Sequence, residues 1–424
     1  MNLGLVAPTY PPDRRGGIET IVRAEARALA DAGHEVRVIA ATGWARGGTR
    51  AELDGELDGV PVTWLPLQEE ELEADAASRP RWTRLAVERL RGCDAVHVHH
   101  GPTLSDDLVR AVSRRVPCVI SLHDHAFELA RPALDEPNPA LRGARRERRK
   151  SFLAELAAAD RVLVSSAAQQ EVLQGHLPGS LVDRLAVHVP ASGFRVPEGY
   201  LASRREPWRG NRPLSILSFG RRSEEKGALD LVRSLMDFDS AAVELIFCGA
   251  TSSREFDQRL RDAAGGRFKV HLFGAYEDEQ LASLAAACDL AAFPARLPES
   301  DALVVEEALS LALPVWVTPQ ADPHGLFDRG PRDSRSAPST LESAPGRVLP
   351  ARRPDAWSEA LSELFADPSA HRRERDGLGR WQRRLASESA LELATLFADL
   401  TQLALPPAAL RSIPAAHEPA ALAS

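Results

Sequence analysis

The chain is poor in cysteine, in lysine and in long apolar runs, and each scarcity excludes a class of protein. No apolar run approaches the roughly 20 residues that cross a bilayer, and no positive region opens a secretory signal at the N-terminus. We therefore expect a cytoplasmic protein. Its cysteines have no metal-like spacing and are expected to be buried free thiols: Cys93, Cys118, Cys248 and Cys288.

The charge balance also narrows the choice of partners. A formal net charge of −8 disfavours a general nucleic-acid binder, because such proteins need a basic surface to neutralise phosphates. The cations are nearly all arginines, since lysine occurs only at Lys150, Lys226 and Lys269. Each lysine is therefore slightly more informative than an arginine. A length of 424 residues predicts two domains of about 200 residues each.

The first half of the sequence alternates apolar runs with helical patterns, which is typical of a parallel sheet covered on both faces. Gly33 is placed to end the first helix. We assign residues 1–196 to an N-terminal Rossmann-like domain. Its predicted strands cover residues 3–7, 36–40, 95–98, 118–122 and 161–164.

A second α/β domain is predicted over 214–385, after a Pro- and Arg-rich linker at 197–213. Residues 322–353 are expected to be irregular, with helices from Asp355 onward. A helix at 386–404 is expected to pack back on the first domain, and 405–424 to be a flexible tail. The predicted fold is two Rossmann-like parallel-sheet domains facing each other across a cleft. The predicted strands of the second domain cover residues 214–219, 243–247, 269–273, 290–293 and 315–317.

The segment from Phe219 to Gly227 leaves the first strand of the second domain and enters a helix. Gly220 permits a tight turn, and Arg221 and Lys226 place two cations at one strand end. An arginine binds phosphate oxygens in a bidentate manner and a lysine adds a compact charge, so the pair suits a diphosphate. The alternative is a solvated loop whose charges are incidental.

A second strand-to-helix segment carries two carboxylates eight positions apart, Glu299 in the loop and Glu307 in the helix. Glu307 suits a ribose and Glu299 a sugar ring, because a carboxylate accepts hydrogen bonds from neighbouring hydroxyl groups. Free N–H groups at the helix start, around 301–303, would form an anion site. The alternative is a pair of surface glutamates, and Glu306 is predicted to be a surface residue.

These motifs together resemble glycosyltransferase family 4, the group 1 glycosyltransferases, which are retaining enzymes of the GT-B fold. The resemblance rests on Gly-Arg-x4-Lys-Gly from Gly220, followed by Glu-x7-Glu from Glu299 and Ala-Leu-Ser-Leu-Ala-Leu-Pro-Val. The Gly16-Gly17 loop, Gly-His-Glu-Val from Gly33 and Ser-Leu-His-Asp from Ser121 match the family's first half. The resemblance spans most of residues 1–400 in matching order.

The resemblance implies a hexosyl-type transferase of class EC 2.4 that needs no metal and no cofactor. It also implies that domain 1–196 lies on the acceptor side and domain 214–385 on the nucleotide-sugar donor side. Arg221 and Lys226 would hold the diphosphate of a nucleotide-sugar donor and stabilise its developing charge. Glu299 would contact donor-sugar hydroxyls and Glu307 the ribose, while His123 would orient the reacting sugar carbon. The resemblance also implies that the donor phosphates contact the tight turn at Gly220 and backbone N–H groups of other residues. These other residues are Gly16, Gly17, Asp301, Ala302 and Leu303.

His123 stands out only through the resemblance. His97, His99 and His100 lie at another predicted strand end, and the residues alone do not rank these histidines. Asp124 either orients His123 or caps the next turn. The sequence shows no convincing cluster of metal ligands.

The sequence departs from the family at Asp301, where an aromatic residue or asparagine is frequent, and at Ala302 and Ala312, where glycine is common. The stretch 320–327 also lacks the usual Gly-Gly and glutamate. These departures leave the donor preference open, and they are the support for one alternative, a degenerate non-catalytic sugar-nucleotide-binding subunit.

The acceptor is open among a glycan, a glycolipid and a small molecule, and a role in cell-surface polysaccharide or glycolipid synthesis is favoured by analogy. The basic run Arg142–Lys150 is expected to be a solvated helix; the alternative is peripheral contact with anionic lipid at the inner face of the cell membrane. A nucleotide-sugar epimerase of the same fold remains an alternative enzyme. No Gly-x-Gly-x-x-Gly follows the first strand, which argues against a dinucleotide oxidoreductase.

Overall fold

Two β-sheets, one in each half of the chain, organise the computed structural model. The chain divides into two units. The first is Met1–Gly193 together with the segment that begins at Arg384, and the second is Phe194–Arg383. The structure describes residues 1–12, 16–42, 52–67, 79–101, 104, 107–123, 139–325, 327, 345–378 and 386–402, with the backbone alone at 139–148.

The first unit contains an eight-stranded sheet of order β3-β4-β2-β1-β5-β6-β7-β8. Neighbouring strands are parallel except β3 and β4, which form an antiparallel pair. The central strands are continuous apolar runs buried on both faces, as parallel strands covered by helices require. The strands are β1 Asn2–Ala7, β2 Glu35–Thr42, β3 Leu53–Leu57, β4 Val60–Pro66, β5 Ala95–His99, β6 Cys118–Leu122, β7 Arg161–Val164 and β8 Leu185–Val187.

Helices connect these strands, and the first helix shows how its sequence determines its bounds. It begins after Gly16, buries a stripe that includes Ile21, Val22 and Leu29, and ends before Gly33, whose φ is +88°. Glycine adopts this left-handed conformation without strain. The helices of this unit are α1 Gly17–Asp31, α2 Pro80–Arg89, α3 Leu108–Ser113, α4 Pro139–Ala158, α5 Ala167–Gln174 and α6 Gly179–Val182.

The second unit contains a six-stranded sheet of order β11-β10-β9-β12-β13-β14, and all its neighbouring strands are parallel. In such a sheet the loops that follow the strands meet at one edge, where open α/β sheets bind ligands. The strands are β9 Leu214–Phe219, β10 Val243–Cys248, β11 Lys269–Phe273, β12 Leu290–Phe293, β13 Val315–Val317 and β14 Gly346–Val348.

Two helices of the second unit begin with side-chain caps. Ser253 accepts a hydrogen bond from the Phe256 amide, and Glu277 and Gln280 form a reciprocal capping box. The helices are α7 Tyr200–Ser203, α8 Ala228–Ser234, α9 Arg254–Ala264, α10 Asp278–Ala286, α11 Leu303–Ser310, α12 Pro354–Ala366 and α13 Ser369–Gly377, with a short 3₁₀ turn at Pro319–Ala321.

The last described helix, α14 Ala386–Thr401, belongs to the first unit and packs on α1. Its buried face contributes Ala390, Leu393 and Phe397 to the apolar cluster formed by β1 and α1. Among the described residues, no helix combines the length and the apolar character needed to span a bilayer.

The strands named from the sequence are present, and all four cysteines are buried free thiols as expected. The stretch predicted as a linker, 197–213, differs from its prediction because it packs on the second unit. Trp208 is 1% exposed, and its indole N–H donates to the carbonyl oxygen of Arg212 at 2.7 Å. The region predicted to be irregular, 322–353, contains the short strand β14, which pairs with β13.

Several sequence predictions lie outside the described residues. They concern Asp124, the tail 405–424, the residues 326 and 328–344 of the stretch predicted to be irregular, and the side chains of the basic run from Arg142 to Arg148.

Candidate functional site

In the second unit, the loop after β9 carries an exposed cation at the end of the central strand. Gly220 follows β9 with a φ of +99°, a left-handed conformation that favours glycine. The Arg221 side chain is 57% exposed, and its nearest carboxylate, Glu225, lies 3.4 Å away. A pair this exposed contributes little to stability. Arg221 can therefore change partners when an anion binds.

Arg222, the next residue, has the opposite role. Its guanidinium is 5% exposed and donates two hydrogen bonds of 3.0 Å to the Asp257 carboxylate. It also donates to the carbonyl oxygens of Gly249, at 2.6 Å, and Phe273. These contacts fasten the loop after β9 to the ends of β10 and β11. Nothing in the sequence distinguishes the anchoring arginine from the exposed one.

Lys226 and Glu299 lie together, as two segments predicted to act on one donor should. The Lys226 ammonium is 2.6 Å from Oε1 and 2.5 Å from Oε2 of Glu299. The two side chains are 39% and 24% exposed, so water reaches the pair. The structure thus places the predicted diphosphate cation and the predicted sugar-binding carboxylate in direct contact.

The backbone beneath this pair is closely packed. Gly227 has a φ of +73°, and a Cβ at this position would lie 1.8 Å from the carbonyl oxygen of Pro294. The Arg296 amide donates to the carbonyl oxygen of Glu225 at 2.8 Å, and its guanidinium binds both carboxylate oxygens of Asp230. The two loops that hold Lys226 and Glu299 are therefore joined at their bases.

The helix predicted after this loop begins where the sequence indicates. Leu303 is the first residue of α11, and Ala302 precedes it with no side-chain cap and 1% exposure. Asp301 is mostly buried, and its Oδ1 lies 3.4 Å from Nε2 of His324. His324 comes from the stretch 320–327, so the two departures from the family pattern contact each other.

The glutamates of α11 are both buried, and the prediction that Glu306 is a surface residue is wrong. Glu306 is 5% exposed and Glu307 8%, because α11 is covered by the protein over most of its circumference. Burial, followed by the negative charge of Glu307, raises the pKa of Tyr276 well above its usual value. Tyr276 follows β11, and the sequence interpretation did not select it.

In the first unit, Gly16 and Gly17 mark the start of α1. Gly17 is the first helical residue, and the buried Glu19 lies in the first turn, where it accepts a hydrogen bond from the Thr9 hydroxyl. A Cβ at Gly16 would lie 2.6 Å from Oε2 of Glu19. A carboxylate is favourable at a helix N-terminus. Here it also places a negative charge beside the glycines to which the resemblance assigns a phosphate contact.

His123 directly follows β6 and belongs to a cluster of imidazoles. Its Nε2 lies 2.9 Å from Nδ1 of His99 on β5. His97, two residues earlier on the same face of β5, has its Nδ1 2.6 Å from Oε1 of Glu25 on α1 and its Nε2 2.7 Å from the Ser121 hydroxyl. His97 and His99 are buried. They therefore support His123 from within the protein.

The cluster is electrostatically unusual. Burial, reinforced by the neighbouring His99 and His97, holds the pKa of His123 well below its ordinary value. Burial also lowers the pKa of His99 to about 4. Although burial alone would raise the pKa of Glu25, the adjacent His97 and His99 hold it well below its usual range. At neutral pH His99 and His123 are therefore neutral rings near an ionised Glu25.

His100 and His188 complete the surroundings of these residues. The ring of His100 packs against Phe152, with centroids 4.7 Å apart. His188 lines a small cavity together with Glu25, His99, Ser121 and His123. The His188 ring also contacts two residues of α14. Its Nε2 lies 3.1 Å from the Ser389 hydroxyl, and its Nδ1 lies 3.3 Å from Oε2 of Glu392.

Glu25, His97 and His99 are the group of described side chains close enough together to be considered as metal ligands, with ligand atoms within 4.8 Å of one another. Both ring nitrogens of His97 already have hydrogen-bond partners at ordinary distances. A metal ion would have to displace these bonds in a site with almost no solvent exposure. The geometry fits a hydrogen-bonded network better than a metal centre.

The sequence contains one Asp-x-Asp triplet, Asp237-Phe238-Asp239. Asp239 accepts hydrogen bonds from the amides of Ala241 and Ala242, at 2.9 and 3.1 Å. Asp237 accepts one from the Ser358 hydroxyl at 2.8 Å. Both carboxylates stabilise local structure, and neither lies in the loops described above.

Two sequence families match the chain. The family described as Glycosyltransferase Family 4 matches residues 15–189, and the family described as Glycosyl transferases group 1 matches residues 202–377. The first match covers most of the first unit, and the second includes Arg221, Lys226, Glu299 and Glu307. No curated protein is significantly similar to the chain.

Solved structures with the same fold are enzymes or domains of similar length. Sucrose-phosphate synthase from Thermosynechococcus elongatus is 16% identical, with a TM-score of 0.67 over 95% of this chain and 99% of that one. HepE from Anabaena, in complex with UDP and glucose, is 16% identical, with a TM-score of 0.65 over 94% and 100%. The catalytic domain of starch synthase IV from Arabidopsis thaliana, bound to ADP and acarbose, is 13% identical, with a TM-score of 0.65 over 95% and 99%.

Proposed function

Since this chain belongs to the group 1 glycosyltransferases of family 4, we propose that it transfers a sugar, with retention of configuration, from a nucleoside diphosphate sugar to an acceptor hydroxyl group. The fold is the GT-B fold of these enzymes. We further propose that the reaction requires no metal. The acceptor is a glycan, a glycolipid or a small molecule, and the favoured pathway is the synthesis of cell-surface polysaccharide or glycolipid.

The contact between Lys226 and Glu299 is the observation that supports this proposal most directly. In the absence of a ligand each side chain neutralises the other, at 2.5–2.6 Å. An incoming diphosphate would draw the ammonium away, because two phosphate groups offer more negative charge than one carboxylate. Glu299 would then be free to accept hydrogen bonds from sugar hydroxyls. One exchange of partners prepares both halves of the donor site.

Arg221 and Lys226 would act on the bond that breaks. As the sugar carbon separates from the diphosphate, negative charge accumulates on the departing phosphate oxygen. Cations held in place before the reaction stabilise that charge, and removing one such donor costs roughly 3–4 kcal/mol of transition-state stabilisation. Arg222 and Gly227 contribute indirectly by fixing the loop that holds both cations.

Glu307, the helix start and His123 have supporting roles in the proposal. Glu307 would bind the ribose, and the amides at Ala302 and Leu303 would contact phosphate. His123 would orient the donor sugar as a neutral ring, since the pKa of His123 lies well below its ordinary value. A neutral imidazole exchanges hydrogen bonds with hydroxyl groups and adds no positive charge beside the sugar carbon.

A thermal-shift panel tests the donor site. UDP, ADP, GDP, dTDP and their sugar conjugates would be added to the full chain, with and without magnesium, beginning with UDP and ADP because HepE and starch synthase IV were solved with these nucleotides. A ligand that binds only the native state raises the melting temperature. We expect a magnesium-independent shift from one nucleotide series.

Variants connect the shift to this site. We expect Lys226→Ala and Glu307→Ala to abolish the shift, and Lys269→Ala, at an exposed lysine on β11, to retain it. A folded protein that responds to no nucleotide would contradict the proposal. A shift without turnover of any acceptor would instead indicate the binding subunit. Conversion of the donor alone into a second nucleotide sugar would indicate the epimerase.

A further inference from the structure

The imidazole of His123 is the end of a continuous series of contacts that starts at a buried carboxylate. Glu25 Oε2 lies 3.5 Å from Nε2 of His99, and Nδ1 of His99 lies 2.9 Å from Nε2 of His123. The rings of His99 and His123 are parallel within 6°. The two facing nitrogens are 2.9 Å apart, which is closer than the planes of stacked rings can approach, so the two rings meet edge to edge. In this arrangement the lone pair of one nitrogen points at the proton of the other.

The carboxylate determines the direction of these hydrogen bonds. Glu25 can only accept, so a ring nitrogen that faces it is stabilised when it carries a proton. His97 donates to Glu25 through Nδ1–H at 2.6 Å. Nε2 of His99 lies 3.5 Å from the same carboxylate, too far for a good hydrogen bond, but the negative charge of Glu25 still favours the ring proton of His99 on this nitrogen. A neutral His99 has one ring proton, so its Nδ1 must accept. His123 must therefore donate through Nε2–H, and its Nδ1 is the acceptor.

We propose that Glu25 and His99 are positioning residues that hold His123 in the neutral tautomer protonated at Nε2, so that only its Nδ1 accepts a hydrogen bond. The role of His123 towards the donor sugar rests on the proposed function, whereas the tautomer does not. His123 then meets a substrate hydroxyl as an acceptor and does not act as a cation.

The groups around His123 agree with this assignment. The titratable groups that face the cluster are Glu25 from α1, His97 and His99 from β5, His100 after β5 and His188 after β8. Glu25 is in direct contact with His97 and His99, and Glu392 on α14 contacts His188. A positive charge on His123 is unfavourable in such a buried group of rings.

Histidine NMR tests the tautomer without a substrate. The full chain would be labelled with ¹⁵N-histidine, and the ring signals of His123 would be identified by their loss in His123→Asn. We expect the wild type to show a proton on Nε2 and a bare Nδ1. In Glu25→Gln we expect the signals to move towards a mixture of tautomers, because a neutral amide no longer requires a donor at His99.

A matched variant controls for the loss of a buried carboxylate. Glu155 in the same unit is 2% exposed and accepts hydrogen bonds from Val109 and Arg110, so Glu155→Gln should leave the His123 signals unchanged. If Glu25→Gln does not fold, His99→Gln interrupts the same series and should give the same change. A wild-type proton on Nδ1, or a folded Glu25→Gln with wild-type signals, would overturn the proposal.

Turnover provides the second readout. With the nucleotide sugar selected by the thermal-shift panel, we expect Glu25→Gln to lower kcat by about 10- to 100-fold, the range seen when a partner that orients a histidine is removed. The shift produced by the nucleotide alone should persist, since the loops around Lys226 are untouched. Unchanged turnover would overturn the positioning role. If no nucleotide shifts the wild type, the proposed function fails while the NMR result stands.

Discussion

The two units hold their functional carboxylates in contrasting ways. In the first unit Glu25 is buried, and its partners are the buried imidazoles of His97 and His99. In the second unit Glu299 lies in a partly exposed loop and pairs with the full charge of Lys226. One arrangement is buried and fixed, and the other is accessible to water and can exchange its partner.

This difference suits two kinds of contribution to the proposed sugar transfer. A buried network resists change because every group that loses its partner is left unsatisfied in a poorly solvated place. An exposed ion pair costs little to separate, because water and a ligand can replace either partner. The first arrangement suits the orientation of a ring, and the second suits the capture of a charged donor.

Acid should affect the buried cluster most strongly. The pKa of His99 is lowered to about 4 from an unfolded value of about 6.5. Stability is therefore complete above about pH 6.5, and it falls as the pH drops towards 4, because the unfolded chain binds a proton that the folded chain does not. We expect the titration of this histidine to lower the unfolding free energy by roughly 3 kcal/mol as the pH falls from about 6.5 to below about 4.

Chemical denaturation at several pH values measures the effect. His99→Gln should show a flatter decline in unfolding free energy between about pH 6.5 and 4 than the wild type. If the unfolding free energies of the two proteins changed in parallel with pH, protonation of His99 would not destabilise the buried cluster. The contrast between the two units would then fail.

The loops that hold the exposed Lys226–Glu299 pair should depend on the close backbone packing beneath it. Gly227→Ala would place a methyl group against the carbonyl oxygen of Pro294 at a positive φ, and we expect a loss of about 2 kcal/mol or more. Gly266→Ala is a matched control, since Gly266 has a φ of +74° with nothing within 4 Å of its Cβ position. Denaturation midpoints would separate the two, and equal losses would show that close packing under Lys226 is unimportant.

Removing the carboxylate from the exposed pair should improve nucleotide binding. Glu299→Gln removes the charge that pairs with Lys226 and leaves the ammonium available to the diphosphate. We expect the Kd of the nucleoside diphosphate selected in the thermal-shift panel, without its sugar, to fall by up to about fivefold. Calorimetric titration would measure it. Glu225→Gln, near Arg221, is the comparison variant and should change the Kd less. Weaker binding in Glu299→Gln would show that the pair does not compete with the diphosphate.

The smallest effect is expected on stability. Lys226→Met removes the charge of the exposed pair, and we expect the unfolding free energy to change by no more than about 1 kcal/mol. The corresponding change at Arg222, Arg222→Met, leaves Asp257 and two carbonyl oxygens without their donor and should cost roughly 3 kcal/mol or more. If the two variants were equally stable, exposure would not be what distinguishes these cations.

Much of the fold could be predicted because buried parallel strands are short continuous apolar runs. Four strands escaped prediction because this signal is weak in them: β3 is polar and largely exposed, β4 is interrupted by Pro61 and Thr63, and β8 and β14 have only three residues each. The stretch 197–213 was misjudged for a related reason. Its composition resembles a linker, while its packing depends on Trp208 and on Tyr200, whose hydroxyl donates to the distant Leu311 carbonyl at 2.8 Å.

The site was partly predictable for a different reason. Arg221, Lys226, Glu299 and Glu307 are separated by spacings that a sequence displays directly. The burial of Glu306 and the cluster around Glu25 are not displayed, because their surroundings come from distant segments. Glu25 and His97 are 72 positions apart in the sequence and 2.6 Å apart in the structure. Only the sheet order, with β5 beside β1, brings them together.

The return of α14 to the first unit has a consequence for the order in which the protein can mature on the ribosome. Synthesis delivers the first unit's strands early, yet the surface that receives Ala390, Leu393 and Phe397 stays uncovered until the entire second unit has been made. During translation the first unit therefore keeps this apolar surface exposed until α14 has been synthesised.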